Sequence, residues 1–134
     1  MFFKENKKSS MEQEIFEQAA VLENLLRTHV NDNNYILFDI PTDISKIVIV
    51  ASGSSYHCAR YAADLFGNVA GMEARAIYSS EFLLKSAVPH ENDILYVFIT
   101  QSGETSDTNS ALRKAKELGM RTLWITTHKD STIW

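Results

Sequence analysis

The 134-residue chain contains one cysteine, Cys58, two prolines and five glycines. A single thiol closes no internal disulfide, which fits a reducing compartment, and a chain of this length buries about two thirds of its unfolded surface without such staples. Its wholly apolar stretches run for only a few residues, far short of the roughly 20 that cross a bilayer. Residues 1–10 carry Lys4, Lys7 and Lys8 with no apolar signal core behind them, so the expected compartment is the cytoplasm. Basic charge is also in deficit. Thirteen Lys and Arg against 17 Asp and Glu give a formal net charge of -4, so neither nucleic acid nor an anionic membrane gains by meeting the surface. Hydrophobic residues at 45% and charged residues at 22% fit one ordinary globular domain.

What is present is a regular alternation. Residues 1–10 have no period and read as a flexible N-terminal arm. From 11 to 27, Ile15, Ala19, Leu22 and Leu26 recur at spacings of four, three and four, which places them on one face of a packing helix. Asn31 to Asn34 break it, and residues 35–40 read as a small strand or an ordered loop. Residues 47–51 form a short aliphatic run, the mark of a strand covered on both faces. Ala59, Ala62, Ala63, Phe66, Val69 and Ala70 then carry a helical period that Gly71 stops. A second strand fits residues 74–79, a short helix residues 81–87 ahead of Pro89, and a third strand residues 94–100. A helix over 105–118 turns Ala111, Leu112, Ala115 and Leu118 inward and is capped by Gly119, and a fourth strand covers 122–127. This order implies an α/β fold of three layers, helices on both faces of a mostly parallel, doubly wound sheet.

Open parallel sheets bind ligands beyond the carboxyl ends of their strands, where strand order reverses. Two strand ends here are built alike. The first strand runs into Ser52, Gly53, Ser54 and Ser55, and the third into Thr100, Gln101, Ser102, Gly103, Glu104 and Thr105. Each loop offers hydroxyls and a glycine at a helix N-terminus, where free N–H groups and the positive end of the helix dipole favour an anion. The same residues also suit plain helix capping, with Thr105, Asp107 and Thr108 as first-turn groups. No GxGxxG and no GxxxxGK[ST] string occurs, which weakens dinucleotide and P-loop readings. An FMN site of the flavodoxin kind remains open, because it also uses hydroxyl-rich phosphate loops at this switch point.

The strings SGSSYH after the first strand, SSEF at 79–82 and TQSGETSDT at 100–108, followed by ALRKAKELG, resemble the sugar isomerase (SIS) domain, in particular the first such domain of the glucosamine-6-phosphate synthases. MEQEIFEQ at 11–18 resembles the segment that opens the isomerase region of those enzymes, so the likeness covers 11–132. It implies a flavodoxin-like strand order, truncated after the fourth strand, and a site for a phosphorylated hexose, fructose 6-phosphate or glucosamine 6-phosphate. Ser54, Ser55, Thr100, Gln101, Ser102, Gly103 and Thr105 would bind it, with Gly53, Glu81 and Glu104 in support. The family usually has cysteine at Ser52, proline at Ala19 and serine at Thr100, where the hydroxyl survives.

The resemblance also implies what this stretch lacks. The family's acid/base glutamate, ring-opening histidine and Schiff-base lysine map to none of its residues, and the chain opens Met1, Phe2, Phe3 without the N-terminal cysteine of the glutaminase domain. A cradle binds a sugar, but moving a proton between C1 and C2 needs a positioned base. The chain alone is therefore expected to bind a phosphosugar, as a single incomplete SIS domain over 11–134 or as a non-catalytic phosphosugar sensor. Its fourth strand, with no fifth strand or last helix over it, needs a partner, so a homo-oligomer, a dimer or higher, is expected. No cofactor is called for. His29, His90 and His128 have no Cys or His at metal spacing, so no metal is expected either. His57 reads as a first-turn packing residue, Cys58 as a small buried hydrophobe, and Arg113, Lys114 and Lys116 as a solvated helix face. Glu81, at the end of the second strand, is expected to orient loop backbone or reach a sugar hydroxyl. Glu104 would repel phosphate if it pointed inward, and is expected to face a partner subunit or the sugar end.

Overall fold

The computed structural model describes residues 9–30, 32, 41–85, 88–89, 91–128 and 130–133, in two compact units, 1–41 and 42–134. In the first, the 3.6-residue period yields α1 (Ser10–His29), whose first turn is capped by the Ser9 hydroxyl accepting the Glu12 N–H at 3.2 Å. None of its residues is buried, so the packing partner expected for Ile15, Ala19, Leu22 and Leu26 is not found among the described residues of its own unit. The arm at 1–8 and the segment at 35–40 lie outside the described residues.

The second unit alternates strand and helix: β1 (Lys46–Ala51), α2 (Gly53–Asn68), β2 (Glu73–Tyr78), α3 (Ser79–Leu84), β3 (Ile94–Ile99), α4 (Ser106–Glu117) and β4 (Arg121–Ile125). The four strands are parallel in the order β2-β1-β3-β4. Strand order therefore reverses between β1 and β3, the doubly wound pattern expected. Ser79, predicted to close the second strand, instead opens α3, and β4 stops at Ile125, two residues short of the predicted end.

Alternation along the strands divides the core. Val48 and Val50 of β1 join Ile94, Tyr96 and Phe98 of β3 on the face covered by Phe82 of α3 and by Ala111, Leu112 and Ala115 of α4. Ile47, Ile49, Ala51, Leu95 and Val97 face the other way, against Ala59 and Ala63 of α2. β1 and β3 have both faces covered, and this is why they read as continuous aliphatic runs. β4 does not. Register sets Leu123 beside Val97 and Ile125 beside Ile99, on the α2 face, yet α2 lies over β1 and β2 and leaves them 43% and 50% exposed.

Four side chains depart from expectation. Leu118 is exposed rather than inward, because α4 has already ended and it sits at the C-cap. Val69 is likewise exposed at the C-cap of α2, and Cys58 is exposed on that helix rather than buried. Lys114 is no solvated charge: its ammonium donates to the carbonyls of Phe82 (3.3 Å), Leu83 (3.0 Å) and Lys85 (2.8 Å), satisfying the end of α3. Lys116 lies over the Trp124 ring at 4.3 Å.

Phe82 is fully buried and meets Tyr96 and Phe98 edge-on at 5.7 and 5.8 Å. Phe82→Ala should cost about 3–5 kcal/mol, measured by urea denaturation. A loss below about 1 kcal/mol would show that this face of the core is not organised around the ring.

Candidate anion site at the switch point

β1 and β3 pair in register with Ala51 opposite Ile99, so the chain leaves both strands at the same level. Ser52, Gly53, Ser54 and Ser55 open α2, and Thr100 to Thr105 lead into α4. The two loops and the two helix N-termini expected to share one crevice are thus brought side by side. Their hydroxyls are not used as caps. Ser52 and Thr105 occupy the N-cap positions of α2 and α4, but neither side chain bonds the first turn of its helix. The N–H groups there are left for another acceptor.

The β3 loop is folded around Thr100, whose side chain is almost fully buried. Its Oγ1 accepts the Gly103 N–H at 3.2 Å and lies 2.8 Å from Thr105 Oγ1. A buried hydroxyl needs a partner for its proton. Either hydroxyl can donate across this contact; with Thr100 as the donor, the Thr105 proton is free for a ligand. Ser102 Oγ accepts the Glu104 N–H at 3.1 Å and keeps its own proton to give. Gln101, Ser102 and Ser54 are exposed and Ser55 is half-buried.

Sequence reasoning missed the supports. Ser79 and Thr108, both fully buried, share a hydrogen bond of 2.9 Å, and the Thr108 hydroxyl lies 3.5 Å from Ser52 Oγ. This chain of hydroxyls ties the ends of β1 and β2 to α4. Behind the β3 loop, the Gln101 carbonyl accepts the Thr127 N–H (3.2 Å), the Thr127 hydroxyl (2.8 Å) and the Thr126 hydroxyl (3.2 Å), and His128 Nδ1 lies 3.2 Å away. Asn109 Nδ2 donates to the Gly103 carbonyl (2.9 Å) and to Thr132 Oγ1 (2.8 Å), while its Oδ1 is buried without a partner. With Nδ2 facing two oxygens, the orientation of this amide is set by these contacts. The only hint in the sequence was the density of hydroxyls just beyond β4.

Glu104 is turned toward the segment after β4. Its carboxylate accepts the Thr132 N–H and hydroxyl at 2.8 and 2.7 Å, and these bonds hold its ionisation below the usual carboxylate range. Glu81 lies exposed in the first turn of α3, and His57 lies exposed on α2, edge-on to Tyr56. Tyr56 in turn stacks on Tyr78 at 3.6 Å, pinning the start of α2 to the end of β2. Among the described residues, no three His, Cys, Asp or Glu gather as metal ligands, and no helix is long and apolar enough to cross a membrane.

The SIS domain model matches residues 42–134, the second unit and the whole site. The chain belongs to the SIS domain family. The SIS chain is 35% identical over 127 residues to the glutamine–fructose-6-phosphate aminotransferase (isomerizing) of Campylobacter jejuni subsp. jejuni, and 36% identical over 128 residues to that of Listeria innocua. Each match covers 92% of this chain but 21% of the relative, so the chain spans about a fifth of their length. The C-terminal domain of glucosamine-fructose-6-phosphate aminotransferase from Francisella tularensis superposes with a TM-score of 0.78 at 26% identity, over 98% of this chain and 38% of that one. The architecture and the relationship expected from QSGET are thereby established.

Gly103 shows how tightly the SIS loop is packed. It has φ +71°, and a Cβ there would meet Ser131 Oγ at 2.0 Å, whereas Gly119, at φ +70°, has open space around it. Gly119→Ala should cost about 1–2 kcal/mol of backbone strain alone, and Gly103→Ala about 1–3 kcal/mol more. Equal losses in chemical denaturation would show that the contact with Ser131 is slack.

Proposed function

We propose that this SIS domain binds a phosphorylated hexose, fructose 6-phosphate or glucosamine 6-phosphate, with its phosphate between the loops after β1 and β3. The observation that carries this reading is the pair of helix N-termini at one switch point whose Ser52 and Thr105 hydroxyls are not used as caps. Ser54, Ser55, Gln101, Ser102 and Thr105 supply side-chain donors, the Gly103 turn lets the backbone approach, and Thr100 holds the loop from below. Gly53 provides the turn into α2, and Glu81, exposed in the first turn of α3, orients loop backbone or reaches a sugar hydroxyl. The names of the relatives, glutamine–fructose-6-phosphate aminotransferases, support a sugar phosphate over a nucleotide. The domain works in the cytoplasm, where Cys58 stays a free thiol.

Binding and turnover are separate here. Near the loops, Glu104 is committed to Thr132 and His128 lies against the Gln101 carbonyl, so neither is poised to move a proton between C1 and C2. The chain alone then holds its ligand without isomerising it.

Thermal denaturation with fructose 6-phosphate, glucosamine 6-phosphate, unphosphorylated fructose and FMN tests the reading. Only the phosphosugars should stabilise, by about 2.7 kcal/mol at 100 times the dissociation constant, and Ser102→Ala or Thr105→Ala should weaken binding by about 1.5–3 kcal/mol. No shift with either sugar phosphate would sink the assignment, stabilisation by FMN alone would replace it, and turnover in a coupled isomerase assay would mean that a base has been overlooked.

Leu123 and Ile125, uncovered on an edge strand, support assembly as a homo-oligomer. Sedimentation velocity should show a dimer or larger species, and a monomer at every concentration would exclude it.

A further inference from the structure

Glu104 is an odd residue for a loop that favours an anion. It lies between Gly103 and Thr105, and its charge is of the sign that the two helix N-termini are arranged to attract. The structure turns that charge away. One carboxylate oxygen accepts the Thr132 N–H at 2.8 Å and the other the Thr132 hydroxyl at 2.7 Å. Thr132 Oγ1 also accepts from Asn109 Nδ2 at 2.8 Å, and the same amide holds the Gly103 carbonyl at 2.9 Å. Ser131, buried beside them, is in the position that a Cβ on Gly103 would occupy. Thr132, beyond β4, therefore holds the carboxylate of Glu104 and, through Asn109 of α4, is tied to the carbonyl of Gly103.

We infer that Glu104 and Thr132 form a latch that positions the β3 loop for its anion, so that the segment after β4 sets the affinity of a site it does not line. The inference rests on the phosphosugar reading for its ligand, and on geometry alone for the latch. With the latch closed, both carboxylate oxygens face Thr132 and the Gly103 carbonyl faces Asn109, leaving the N–H groups at the start of α4 to the ligand. With it open, the carboxylate is free to swing toward the same N–H groups and compete for them.

This differs in sign from the simpler view that Glu104 is a surface carboxylate that only repels anions. Isothermal titration calorimetry with glucosamine 6-phosphate, on the full chain, separates the two. Thr132→Val leaves the charge in place and removes its stronger tether, and should weaken binding about tenfold. Thr132→Ser restores the hydroxyl and should recover affinity to within about twofold of wild type. In a Glu104→Ala background, Thr132→Val should cost clearly less than tenfold, because the coupled pair has already been broken and only the Asn109 contact to Thr132 Oγ1 is left to lose. Binding by Thr132→Val equal to wild type, failure of Thr132→Ser to rescue, or an undiminished tenfold loss in the Glu104→Ala background would each overturn the latch.

If wild type binds no sugar phosphate, the phosphosugar reading fails, and the latch is decided on the free protein. The amide resonances of Gly103 and Thr105 should then shift, and exchange faster with solvent, in Thr132→Val but not in Thr132→Ser. Unchanged amides in Thr132→Val would refute the latch independently of any ligand.

Discussion

The parallel pairing of β1 with β3 is the constraint on which the rest depends. These two strands are adjacent in the sheet but separated in sequence by α2, β2 and α3, and their register puts Ala51 level with Ile99. Because both run the same way, their loops emerge on one edge and the helices that follow begin there with their N-termini together. Antiparallel pairing would have placed one loop at each end of the sheet. The burial of both strands on both faces holds this pairing in place, since a one-residue slip would exchange the α2 core for the α3 and α4 core along the whole strand.

On that frame the site is made by hydroxyl chemistry rather than by cations. Threonine and serine side chains form two connected sets, Thr100 with Thr105 inside the loop and Ser79 with Thr108 and Ser52 beneath it, while behind it Thr126 and Thr127 bond the Gln101 carbonyl and Thr132 the Glu104 carboxylate. Hydroxyls donate and accept at once, so the set inside the loop can be internally satisfied and still leave a proton for a ligand. A lysine would bring charge but no acceptor, and could not relay in this way.

The sequence disclosed the fold and the two loops of the candidate site more readily than the packing behind them. Continuous aliphatic runs at β1 and β3 could only be doubly covered strands, and the two Ser/Thr/Gly strings that follow them were legible because helix N-termini impose local rules. Cys58, Leu118 and Lys114 were misjudged for a common reason: helical period gives a face, and tertiary placement decides whether that face is covered. The roles of Ser79, Thr108, Asn109 and Thr132 were invisible because they arise from contacts across the sheet. A buried threonine and a solvated one look the same in a string of letters.

The bonds that shape the loop are long in sequence. Glu104 reaches Thr132 across 28 residues, and Thr108 approaches Ser52 across 56. Loop-closure entropy must be overcome before such contacts form, so the bonds to Thr132 and Ser52 require distant parts of the second unit to have come together. A ligand held at the candidate site would therefore report on the folding of the second unit as a whole rather than on the few residues it touches.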